Sequence, residues 1–397
     1  MSLVFFALGA AWIAVVSLLV LVLLVQVLAG WRWRPPAPAP ARRDAPLPTY
    51  AVLMPAHNEA GTITAPVAAV LQQLAPGARL LVIADNCSDT TAAEARAAGA
   101  EVVERHDPVR GKGHALAFGI AHLAQDPPQV VLVIDADCIP APGALDVLAA
   151  AVGDSGRPAQ ALNLMLAPPG SSLRVRMAAF AWAMHNQVRP FGMRRLGLPC
   201  QLMGTGMALP WSCVSGSEFA SGHLAEDQQL GLKLAAEGRA PSLCPAALVE
   251  SWFPVESSAL EGQRKRWEHG HLSLVSSVPP LLWRSLRRRN GAGLALALDL
   301  CIPPLALLAL LVIVSCAFGA WMAGSGWQGG VLAAAAAALS LAGFALAVLL
   351  AWSSAGRRWV RLSELATAPL YVLKKIPLYA GFVFRRQKEW VRTTRQR

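Results

Sequence analysis

The chain has 397 residues, is 55% hydrophobic, and carries a formal net charge of +11, with a mean hydropathy of +0.43. Soluble domains hold about 45–50% apolar residues, so the excess must lie in segments that leave water. Spread over a soluble surface, such a charge would point to nucleic acid; here it clusters beside apolar runs, and no nucleic-acid partner is expected.

Residues 1–30 form the first apolar run, with no charged residue between Ser2 and Ala29. A helix needs roughly 20 residues to cross a bilayer. A signal peptide would show a basic start, a shorter apolar core and a small-residue cleavage site. Instead the start is uncharged, and Trp31, Arg32, Trp33 and Arg34 follow as an interfacial collar, so a retained transmembrane helix is expected. Residues 31–49 are a Pro/Ala-rich linker, stiffened from Pro35 to Pro48.

Residues 50–279 have a different pattern. Tyr50–Met54, Leu80–Ala84, Glu101–Glu104 and Val130–Ile134 are short runs rich in Val, Ile and Leu. Ile63–Leu74, Thr90–Ala98 and Ala115–Ala124 are Ala-rich helical stretches between them. That alternation predicts βαβ units, an α/β domain and a mostly parallel sheet. Ligands of such sheets bind beyond the carboxyl ends of the strands. The polar groups there are Pro55-Ala56-His57-Asn58-Glu59, Asp85-Asn86-Cys87-Ser88-Asp89 and Asp135-Ala136-Asp137. Two aspartates one residue apart after a strand suit a hard divalent cation, which takes carboxylates plus substrate phosphates. Asp135 and Asp137 are therefore candidate ligands for Mg2+ or Mn2+.

Glu226-Asp227 opens a predicted helix, where acids can simply favour the first turn. Gln263-Arg264-Lys265-Arg266-Trp267 sets dense positive charge beside an indole shortly before the membrane, where a basic run is common for its own sake. His269 and His271 follow it, and a lone pair of this kind is more often hydrogen-bonded than metal-bound. Residues 280–301 read as a basic interfacial segment. Residues 302–352 hold two further transmembrane helices, Ile302–Ala323 and Val331–Trp352, joined by a Gly-rich turn. Residues 353–397 form an amphipathic basic tail of one or two helices on the membrane face. Seven scattered cysteines show no redox or zinc spacing and read as small buried apolar residues.

Three arginine clusters set the topology: Arg32, Arg34, Arg42 and Arg43; Arg284, Arg287, Arg288 and Arg289; Arg357, Arg358 and Arg361. All fall on one side, which the positive-inside rule makes cytoplasmic. The expectation is a multi-pass protein of a bacterial-type inner membrane, with the α/β domain inside the cell and the turn at 324–330 outside.

Strand-terminal Asp-x-Asp, then Glu-Asp, then Gln-x-x-Arg-Trp, in this order from about Tyr50 to Trp267, resembles the membrane-integrated family 2 glycosyltransferases. Cellulose, hyaluronan and poly-N-acetylglucosamine synthases and ceramide glucosyltransferases belong to that family. The resemblance implies a GT-A-type, Rossmann-like domain and inverting transfer from a nucleotide-diphosphate sugar, with UDP as the expected nucleotide. It places Glu59, Asp85, Lys112, Asp135, Gln263 and Arg266 at the donor, and Asp135 and Asp137 at the metal. It makes Asp227 the general base and puts Gly204, Thr205, Gly206 and Trp267 at the acceptor. The implied partners are the nucleotide sugar, membrane lipids, and a glycan or lipid acceptor. The Gln-x-x-Arg-Trp motif favours a growing glycan, although three spans are few for a secretion channel, and a glycolipid-forming enzyme needs none. The competing class is a non-catalytic membrane scaffold with an export partner, whose mark would be loss of Asp137, Asp227 or Trp267; all three are present.

Overall fold

The computed structural model describes residues 3–34, 46–214, 219, 223, 225–254, 257–373 and 375–384. Part of the Pro/Ala-rich linker (35–45) and the last thirteen residues of the tail lie outside the described residues.

The chain begins with helix α1 (Leu3–Gly30) and then builds β1 (Tyr50–Ala56), α2 (Thr64–Leu71), β2 (Arg79–Asp85), α3 (Thr91–Ala97), β3 (Glu101–Arg105), α4 (Lys112–Leu123) and β4 (Val130–Val133). The four strands run parallel in the order β3-β2-β1-β4. β1, β2 and β4 are apolar in nearly every position because both faces are covered, while the edge strand β3 carries exposed Glu101 and Glu104. Val52 and Met54 of β1 pack with Val67 of α2 on one face. Ala51 and Leu53 pack with Leu116 and Ile120 of α4 on the other. The strands and helices expected here from the sequence are those observed.

The second half is less regular. It contains β5 (Ile139–Pro140), α5 (Ala144–Ser155), β6 (Ala159–Leu166), α6 (Leu173–Ala183), a π-helical turn (Met184–Val188), α7 (Arg189–Arg195), β7 (Met207–Pro210), α8 (Glu226–Ala236) and β8 (Ser242–Trp252). The sheet continues from β4 as β7-β6-β8-β5. β7 and β5 run antiparallel to their neighbours, while β6 and β8 are parallel. The result is a mostly parallel eight-stranded α/β sheet of the GT-A kind.

Next come α9 (Ser257–Leu274), α10 (Val278–Arg287) and α11 (Gly291–Cys301). The segment expected as a basic interfacial stretch is thus two helices of different character. α10 carries Arg284 and Arg287. α11 is apolar and buries Leu296, Ala297 and Leu300 against Leu232 and Ala235 of α8. Then follow α12 (Leu305–Gly324), α13 (Gly330–Ala351), α14 (Leu362–Leu365), α15 (Ala368–Leu373) and α16 (Ile376–Phe384). Pro369 and Pro377 each sit second in their helix, which divides the tail into shorter pieces than the sequence suggested.

Residues 4–30, 305–324 and 330–356 are helical, long and apolar enough to cross a membrane. They associate as helices do in lipid, through small residues and buried hydroxyls. A Cβ on Gly319 of α12 would lie 3.0 Å from Ala334 Cα of α13. Ser340 Oγ donates to Ser17 Oγ at 2.7 Å, and Trp12 Nε1 donates to Ser315 Oγ at 3.1 Å. α1 also touches the α/β domain backbone to backbone. A Cβ on Gly192 of α7 would stand 1.9 Å from the Gln26 carbonyl oxygen.

Candidate active site

The expected polar groups converge at the carboxyl ends of β1, β2 and β4. Two turn residues there, Asn58 and Asn86, have left-handed φ values of 56° and 50°. Asparagine tolerates this because its short side chain bonds locally. Asn58 Oδ1 accepts the Ser88 N–H at 2.7 Å, and Asn86 Oδ1 accepts the Asp107 N–H at 3.0 Å. The two turns are thereby tied to each other and to the segment after β3. Asp85, buried at the end of β2, takes Arg105 Nη1 on Oδ1 at 2.6 Å, and its carbonyl takes His57 Nδ1–H at 2.7 Å. Glu59 is held by its N–H on Thr91 Oγ1 at 2.7 Å, and its carboxylate accepts the Thr62 hydroxyl at 3.1 Å.

Lys112 begins α4 and reaches across to Asp135 Oδ1 at 2.5 Å and the Gly204 carbonyl at 2.8 Å. Burial works against its ammonium charge, but Asp135, Glu226 and Asp227 together outweigh burial and raise its pKa. One oxygen or sulfur each from Asp135, Asp137 and Cys138 lies within 4.8 Å of the others. Burial, reinforced by the two aspartates, holds the Cys138 thiol well above its ordinary range, and a hard cation prefers the carboxylate oxygens to sulfur. The remaining set is two carboxylates beside a cavity, which fits a hard divalent cation completed by phosphate oxygens.

The loop carrying Gly204, Thr205 and Gly206 passes directly over this motif. Thr205 Oγ1 accepts the Asp135 N–H at 3.1 Å. The loop is shaped by two amides the sequence reading did not single out. Gln160 of β6 donates to the Thr205 carbonyl at 2.8 Å and accepts the Met203 N–H at 2.9 Å, while Asn163 donates to the Met203 carbonyl at 3.2 Å. Their only signal in the sequence is two amides three residues apart in an otherwise apolar run, where buried amides must be paired. Gly204 has φ +80°, and a Cβ there would meet Asp227 Oδ2 at 3.2 Å and Lys112 Nζ at 3.4 Å. The loop, the lysine and the aspartate are thus in contact.

Asp227 lies in the first turn of α8, where its Oδ1 accepts the Gln228 N–H at 2.8 Å. Burial and the neighbouring Glu226 push its carboxyl up to about 7, against the pull of Lys112. Burial raises Glu226 as well. From α9, Gln263, Arg266 and Trp267 line the same cavity. Trp267 stacks obliquely on Trp182 of α6, with ring centroids 4.6 Å apart. Trp182 was not anticipated; its Nε1–H is fixed on the Asn163 carbonyl at 2.9 Å. Every site residue named from the sequence except Gly206 lines one cavity of about 960 Å³. Gly206 packs behind it, where a Cβ would come within 2.9 Å of Ala161 Cβ.

The cavity does not end at Trp267. It continues between the apolar helices, past Ala309 and Ile313 of α12, Phe344 and Val348 of α13, and Val372 of α15. One space therefore joins a carboxylate-rich end to an apolar end among the long apolar helices.

Comparison with known proteins bears on the family and the fold. A family model described as "Glycosyltransferase like family 2" matches residues 48–270. A mannosyltransferase from Pyrobaculum calidifontis, solved in complex with GDP-Man and Mn2+, aligns over 93% of this chain and 99% of its own at TM-score 0.52 and 18% identity. Glucosyl-3-phosphoglycerate synthase from Mycobacterium tuberculosis, in complex with phosphoglyceric acid, aligns over 62% of this chain and 88% of its own, at TM-score 0.39 and 19% identity. No curated protein matches the chain. With the α/β domain matched along its length, the chain belongs to glycosyltransferase family 2 and is a glycosyltransferase.

Proposed function

We propose that the enzyme transfers one sugar, with inversion, from a nucleotide-diphosphate sugar to a lipid acceptor that enters from the membrane. The observation that carries this reading is the continuity of the cavity from Asp85 and Asp135 to the apolar surfaces of α12, α13 and α15. A growing glycan, favoured by the Gln-x-x-Arg-Trp motif, would call for a polar path across the membrane. The wall between the spans is instead aliphatic and aromatic, as an acyl or isoprenoid chain requires.

The nucleoside, with uridine as the expected base, lies over the β1 and β2 turns near Asp85 and Glu59. The diphosphate lies toward Asp135, Asp137, Lys112 and Arg266. A divalent cation held by Asp135 and Asp137 would neutralise charge on the diphosphate. Arg266 and Lys112 meet the same charge as the bond from sugar C1 to phosphate oxygen breaks. The acceptor hydroxyl attacks C1 from the opposite side, and its proton passes to Asp227. A carboxyl near pH 7 suits that role, because a base works best when its pKa lies near the operating pH. Trp267 and Trp182 offer aromatic faces to the sugar or the acceptor head.

The spans support a multi-pass protein of the inner membrane with the α/β domain in the cytoplasm. Arg32, Arg284, Arg287 and Arg357 follow or precede the span ends that touch that domain. The test uses the purified full chain in liposomes with labelled nucleotide sugars and Mg2+ or Mn2+. Label is expected in the organic extract as a single-sugar glycolipid; label only in lipid-insoluble polymer would overturn the reading.

A further inference from the structure

Between the carboxylates and the apolar helices, the cavity wall also carries the polar side chains of His185, Arg189, Arg264, Glu268, His271 and Lys375. His185 lies on the π-helical turn just beyond Trp182, and Arg189 begins α7. Arg189 Nη1 bonds His185 Nδ1 at 2.9 Å. A guanidinium only donates, so Nδ1 accepts and the ring proton must sit on Nε2. Burial and the Arg189 charge push His185 down to about 3, which keeps the ring neutral in this tautomer. His185 lines the cavity. Among the described residues its only hydrogen bond is the one from Arg189. Its neighbour His271, with ring centroids 6.4 Å away, is turned instead to the Ile302 carbonyl at 3.1 Å.

Two cations of this wall are paired with carboxylates. Arg189 is paired with Asp299 at 2.7 Å, and Gln26 of α1 bridges the two, accepting from Arg189 and donating to Asp299 at 2.8 Å each. Lys375 is paired with Glu268. Arg264, also on the wall, is buried with interactions of its own. The half-buried carboxyls of Glu226 and Asp227 line the same cavity. An anionic head would find Arg189 and Lys375 already paired and the carboxyls of Glu226 and Asp227 in the same cavity. A neutral head with hydroxyls would find a neutral donor and a base, and only a hydroxyl needs that base.

We propose that His185 is an acceptor-positioning residue whose Nε2–H donates to an oxygen of the acceptor head, and that this head is uncharged and hydroxyl-bearing rather than a lipid phosphate. The proposal rests on the lipid-acceptor reading above. Lipids extracted from the source membranes are separated by anion exchange into neutral and acidic pools. Each pool is offered with labelled donor sugar to the purified full chain in micelles. Label is expected in the neutral pool. His185→Ala should raise the acceptor KM about tenfold, the worth of one hydrogen bond, with donor KM and kcat within about twofold. His185→Gln, which keeps an N–H donor, should return the acceptor KM to within about threefold of the parent. Label in the acidic pool overturns the neutral head and leaves the lipid reading intact. Label only in polymer overturns both. An acceptor KM unmoved in His185→Ala, or no better in His185→Gln than in His185→Ala, removes the positioning role; calorimetric binding of UDP in each variant shows whether the donor site is still formed.

Discussion

At the scale of single residues, Asp227 concentrates the chemistry. Its carboxyl is raised to about 7 by burial and by Glu226. If it is the base, kcat/KM should fall as pH drops below about 7, by about tenfold per unit. A profile flat between pH 6 and pH 8 would rule it out. Asp227→Asn should lower kcat by about 10²–10⁴-fold while UDP binding by calorimetry is kept. The same raised pKa affects stability. The protonated group contributes stability that is full below the ordinary aspartate range and is lost as pH rises through about 7. Asp227→Asn should therefore raise the Tm at pH 8, and the gain should shrink toward pH 5. Asp135, Asp137, Asp227, Gln263, Arg266 and Trp267 could be read from the sequence because each belongs to a short local motif. Gln160, Trp182 and His185 could not, because their partners lie in other elements.

At the scale of elements, most of the parallel half of the sheet was legible because β1, β2 and β4, buried on both faces, are runs of apolar residues. β6 and β8 hide behind Gln160, Asn163 and Pro245, and β7 is only four residues long. The arginines before α11 mask its packing in the sequence, for its Asp299 is buried against Arg189. The crossing of α1 and α7 was equally invisible, since it depends on what Gly192 lacks. A methyl there would stand 1.9 Å from the Gln26 carbonyl oxygen. Gly192→Ala should force the helices apart and cost about 1–3 kcal/mol, seen as a lower Tm and a loosened Gln26–Asp299 bond. Gly291→Ala, which meets nothing within 4 Å, should leave the Tm nearly unchanged. Equal effects of the two substitutions would refute the close-packed crossing.

For the whole molecule, hydropathy marked the three spans but not how they pack, so the cavity between them could not be foreseen. The orientation can be checked directly. In a variant without the seven native cysteines, Ser325→Cys should react with an impermeant thiol reagent in intact spheroplasts. Ser155→Cys, on the exposed end of α5, should react only after the membrane is opened. The reverse pattern would put the α/β domain outside. If the acceptor is the membrane lipid proposed above, a cavity with one carboxylate-rich end and one apolar end also meets its two substrates in different units. The donor counts by molecules per volume, the acceptor by molecules per area of membrane. On that reading, inert lipid added to the bilayer should slow the reaction, whereas added buffer should leave the acceptor side untouched, so membrane composition would set the rate independently of the pool of donor sugar.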